Sequence, residues 1–139
     1  QLPAPLAWLV DEAAASSGPD RFLAELGERL LADGLPLTGA ALTLAVPHPI
    51  IARRSWLWRA DNGTVVEALG FAGDAAGKDA REWLARLGPV LRESLGPTPE
   101  SPVLAWAGRE PFPAADADRL RQVARFAAAP LAALSSRAA

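Results

Sequence analysis

The 139-residue sequence has no cysteine, no methionine and a single histidine, His48. Without cysteine there is no disulfide framework, no thiolate nucleophile and no cysteine-based zinc or iron–sulfur site. A lone imidazole needs carboxylate help to assemble a zinc site, and no HxxxH or clustered Asp/Glu spacing accompanies this one, so no metal is expected. Because methionine is missing, Gln1 is no untouched translation start, and the chain reads as a processed product or, the preferred expectation, a part excised from a longer protein. Every apolar stretch is interrupted well short of the ~20 residues that a bilayer crossing requires. No GxGxxG, GxxxxGK[ST] or GxSxG pattern occurs, so the sequence gives no support to a dinucleotide site, a P-loop or a serine elbow. No catalytic residue and no cofactor is assigned.

What is present is evenly mixed charge. Fourteen basic and sixteen acidic residues leave a formal charge of −2, with no basic stripe for nucleic acid and no polybasic run for an anionic membrane. Nearly all the basic residues are arginine, Lys78 being the exception, which fits a gene of high GC content. The length suits one domain with its own core.

Periodicity divides the chain. "PLAWLVDEAAASS" places Leu6, Leu9 and Val10 on one helical face, with Pro5 suited to a first turn. "PDRFLAELGERLLADG" carries an apolar stripe of Phe22, Leu23, Leu26, Leu30 and Leu31 and ends at Gly34, a left-handed cap. The period then becomes two: "GAALTLAV" reads as a strand with Leu42 and Leu44 on one face and Thr43 and Ala45 on the other. "RRSWLWRA", Asp61-Asn62-Gly63 and "TVVEALGF" read as a hairpin on a tight primed turn. Pro47-His48-Pro49 before it reads as a stiff loop.

Further on, "AREWLARLGPVLRESLG" reads as helical, broken or kinked at Gly88-Pro89, and "VLAWAG" as a short strand. A last helix from Ala114 carries Leu120, Val123, Ala127, Leu131 and Leu134 at coiled-coil-like spacing, interrupted at Pro130. The order helix, helix, three strands, helix, strand, helix predicts an α+β fold, an antiparallel β-sheet with flanking helices.

The densest chemistry lies in residues 47 to 65. His48 sits in a loop, where a solvated or capping role outweighs a ligand role. Arg53 and Arg54 have the forked donors that suit phosphate or carboxylate and read equally as charges at a strand's entry, since alternation sends them to opposite faces and only one can point into any given pocket. Trp56 and Trp58 share a face, as core or as an indole wall; Trp8, Trp83 and Trp106 read as packing residues. The candidate ligand-binding set is His48, Arg53, Arg54, Trp56, Trp58 and Trp106. Asp116 and Asp118 open the last helix, where they complement its dipole.

"FLAELGERLLADGLPLTGAALTLAVPHPIIARRSWLWR", continuing to "GTVVEALGF", resembles the N-terminal regulatory region ahead of the catalytic domain in certain bacterial adenylate/guanylate cyclases. There a helix ending "L…AGLPL" leads to a strand, an "HP" loop and a strand closing on a "W-R" pair. The matching positions are Leu31, Gly34, Leu35, Pro36, Leu37, His48, Pro49, Trp58 and Arg59. The closing "FPAADADRLRQVARFAAAPLAAL" resembles the helix that carries the signal out of GAF-like sensor domains. The likeness runs from about residue 8 to 134. It implies a single GAF-like sensory or regulatory domain over 1–139, with 114–139 as the helix linking it to its output. It also implies a small-molecule effector, a homodimer with the last helix as its seam, a cyclase domain downstream in cis and a cytoplasmic location. The other reading is a free-standing binding protein or small enzyme acting on an aromatic or anionic metabolite.

Overall fold

In the computed structural model, which describes residues 3–13, 16–47, 49–71, 78–98 and 100–138, proline starts the first two helices. Helix α1 spans Ala4–Asp11 and buries Leu6, Trp8 and Leu9. Val10, expected on its inner face, is 56% exposed. The inward arc is taken instead by the Trp8 indole, which lies 5.6 Å from the Phe22 ring and carries the Arg29 guanidinium 4.7 Å above it. Helix α2, Pro19–Ala32, turns Phe22, Leu23, Leu26 and Leu30 inward as the stripe predicts. Its end is a Schellman motif: the Gly34 N–H donates to the Leu31 carbonyl, the Leu35 N–H to that of Leu30, and Gly34 sits at φ +94°.

Strands β1 (Leu37–Ala45), β2 (Ile51–Arg59), β3 (Val65–Phe71), β4 (Val90–Ser94) and β5 (Val103–Gly108) form one antiparallel sheet in the order β3-β2-β1-β5-β4. The fold is therefore α+β, an antiparallel sheet flanked by helices. The β2–β3 turn differs from the two-residue primed form. No residue other than glycine has positive φ among the described residues, so Asn62 cannot take the primed conformation. The loop spans Ala60 to Gly63 instead: the Gly63 N–H donates to the Arg59 carbonyl at 2.9 Å, and Gly63 alone is left-handed. The Asn62 carboxamide oxygen accepts from the Thr64 N–H and hydroxyl, which fixes the return.

A second correction concerns residues 80–96. Helix α3 covers only Lys78–Ala85, and the rest of that segment supplies strand β4. Gly88, at φ +140°, and Pro89 turn the chain, and the Pro89 carbonyl accepts from the Gly108 N–H. The sheet thus has one strand more than the sequence pattern suggests.

Alternation along β1, β2 and β5 sends Ala40, Leu42, Leu44, Trp56, Trp58, Leu104 and Trp106 to one face, where α1, α2 and α4 (Ala114–Ala138) close the main core. The other face carries Ala41, Leu57, Ala105 and Ala107 under α3, whose Ala80 and Leu84 are buried there. Helix α4 runs through Pro130 without ending. Its row of Leu120, Val123, Ala127, Leu131 and Leu134 is buried in the main core. The expected seam between copies is thus internal packing of one chain. No helix among the described residues is long and apolar enough to cross a membrane.

Candidate functional site

Alternation decides where the two neighbouring arginines go. Arg54 lies on the packed face at its margin: its guanidinium sits 4.9 Å over the Trp56 ring and donates from Nε to Glu67 Oε2 at 2.5 Å. That hydrogen bond, opposed by desolvation and helped by the Glu67 charge, raises the Arg54 pKa. Arg54 is thus engaged in holding β2 to β3. Arg53, one residue earlier, points to the opposite face and lines a hollow beneath α3.

Three layers of residues build this hollow. Its floor is a row of small side chains, Ala41, Thr43 and Ala45 of β1, beside Val103 and Ala105 of β5. Helix α3 makes one wall through Ala80, Arg81 and Leu84. Arg53 from β2, Arg92 from β4 and Ser101 from the β4–β5 connection complete the rim. The free volume is about 60 Å³, enough for a few waters or for part of a small organic molecule. Thr43 and Ser55 share a hydroxyl–hydroxyl hydrogen bond of 2.9 Å on this face.

The arginines around the hollow, Arg53, Arg81 and Arg92, have no carboxylate partner among the described residues. Elsewhere some arginines have carboxylate partners, Arg21 with Glu25, Arg59 with Asp61, Arg119 with Asp33 and Arg121 with Asp118, while Arg29, Arg86, Arg109 and Arg125 have no ion pair among the described residues. Guanidinium groups held over an apolar floor and left unpaired favour an incoming anion, since each presents forked donors suited to a carboxylate or phosphate.

The remaining candidates lie elsewhere. Trp58 and Trp106 are fully buried and Trp56 nearly so, all in the main core behind the sheet, so none of the three faces the hollow. His48 lies outside the described residues. Of the five described candidates only Arg53 lines the hollow. Sequence reasoning missed Arg81, Arg92 and the small-residue floor. The floor did leave a signal: Ala41, Thr43 and Ala45 alternate with Leu42 and Leu44, so one face of β1 is uniformly small. No group of three or more potential metal-ligating side chains occurs among the described residues.

The geometry defines a class of molecule, an α+β domain whose antiparallel sheet is packed on one face and part-covered on the other. No protein-family model matches the chain, and neither curated proteins nor solved structures include a match.

Proposed function

We propose that this chain is a non-catalytic sensory or regulatory domain that takes a small molecule in the hollow under α3 and passes the effect to α4. The observation that carries the reading is the rim of Arg53, Arg81 and Arg92, without ion-pair partners among the described residues, around an alanine-rich floor. Apolar concavities with a few polar groups are the usual form of small-molecule sites. Strands β4 and β5 supply the coupling. Arg92 faces the hollow, while its neighbour Glu93 lies toward α4, 3.8 Å from Arg121. Val103 and Ala105 of β5 line the hollow, and Leu104 and Trp106 between and beyond them pack in the core that α4 closes. A ligand that binds one pose of this hairpin better shifts α4 by that difference in affinity.

The resemblance to cyclase regulatory regions adds the finer part of the proposal: a GAF-like domain in the bacterial cytoplasm, working as a homodimer upstream of an adenylate/guanylate cyclase domain. Because the α4 row is internal, that dimer uses another surface.

Native mass spectrometry of the purified chain tests the reading together with thermal shift against a metabolite library. The expected result is a bound or stabilising small molecule that Ala45→Trp, which fills the floor, displaces while the circular dichroism spectrum is kept. A ligand indifferent to Ala45→Trp, or no ligand at all, overturns it. An output domain of another kind after α4 would discard the cyclase alone.

A further inference from the structure

We infer that the ligand of the hollow is a small organic dianion, two carboxylate or phosphate groups joined by an apolar spacer; this rests on the hollow being the domain's ligand site.

Register sets the spacing of the charges. Arg92 of β4 pairs with Ala105 of β5, Ala105 with Ala41 of β1, and Ala45, four residues beyond Ala41, with Arg53 of β2. The two arginines are thus three strand spacings apart across the sheet and four residues apart along it, a Cα separation of about 20 Å from ordinary strand geometry. Side chains on a strand stand roughly perpendicular to the sheet, and in that stance the two guanidinium groups are farther apart than one compact ion can bridge.

Between them lies the floor of Ala41, Thr43, Ala45, Val103 and Ala105. A bare inorganic anion needs donors around it and gains nothing from methyl groups, whereas a short hydrocarbon spacer gains by leaving water. Arg81 overlooks the same hollow from α3. The rim therefore presents cations at separated points with apolar surface between, the complement of an anion at each end of a spacer. The free volume of about 60 Å³ suits a short spacer.

Isothermal titration calorimetry tests this with a series of straight-chain α,ω-dicarboxylates, the monocarboxylates of the same lengths, and inorganic phosphate. One dicarboxylate should bind at least about tenfold tighter than its monocarboxylate and than phosphate. Arg92→Ala, exposed on the edge strand, and Arg53→Ala should each lower that affinity about tenfold or more and bring it close to the monocarboxylate value. Circular dichroism of both variants controls for folding. Equal affinity for mono- and dicarboxylates, phosphate binding as tight as the best dicarboxylate, or binding unchanged in both arginine variants overturns the inference. If instead a neutral or singly charged molecule binds and is displaced by Ala45→Trp, the dianion falls while the regulatory reading stands. If nothing binds, both fall.

Discussion

One row of side chains across the main core shows how single residues set the packing. Val65, Trp58, Ala40, Trp106 and Leu91 stand opposite one another on β3, β2, β1, β5 and β4. Two indoles can flank one strand because Ala40 between them is small, and α2 can close over the row because Gly27 has no side chain. A Cβ at Gly27 would lie 2.8 Å from Cε2, Cζ2 and Cη2 of Trp58. Alanine in a helix interior gains about 0.5–1 kcal/mol over glycine, but the rigid, fully buried indole cannot yield, and overpacking costs about 1–3 kcal/mol. Gly27→Ala should therefore destabilise the fold on balance, as a lower urea midpoint with unchanged slope. Trp58→Ala should cost about 3–5 kcal/mol, the range for a core aromatic; a loss below about 1 kcal/mol in urea unfolding would place the indole outside the core. The Trp56/Trp58 alternation was legible because period two fixes a shared face whatever the partners are. Arg81 and Arg92 were not, because only the register of β4 and the placement of α3 bring them beside Arg53.

At the scale of elements, the instructive segment is 80–96. Leu84, Leu87, Leu91 and Leu95 recur at spacings of three or four, the signature of a helical stripe, so periodicity extended α3 through a region that folds as a turn and a strand. Within β4 the same residues obey period two, Leu91 and Glu93 facing one way, Val90, Arg92 and Ser94 the other. Gly88 and Pro89 arbitrate. Gly88 at φ +140° occupies backbone space that side-chain-bearing residues rarely enter, and a Cβ there would collide with the Gly108 carbonyl. Gly88→Ala should thus cost about 2–3 kcal/mol, and hydrogen exchange should quicken in β4 and at the end of β5 before the rest of the sheet. Exchange quickened equally everywhere would mean that the turn does not set β4 apart. By contrast α2 was legible from end to end, since its Pro19 start, apolar stripe and Gly34 stop each act locally.

For the molecule as a whole, the question is what α4 does with its apolar row. Spacing alone cannot distinguish a seam between two chains from a face buried in one, because both ask for apolar residues every three to four positions. The structure settles the placement: Leu120, Val123, Ala127, Leu131 and Leu134 lie in one core with Leu6, Trp8 and Leu9 of α1 and Trp106 of β5. Helix α4 is therefore part of the fold, and any signal it carries has to alter packing inside the domain. Leu131 discriminates, being fully buried just past Pro130. As a core residue, Leu131→Ala should cost about 2–5 kcal/mol, lower the melting temperature at every protein concentration by the same amount, and leave the mass measured by light scattering unchanged. Were the row a seam, the same substitution would dissociate a dimer into stable monomers, and the loss of stability would shrink as protein concentration rose, since association stabilises by mass action.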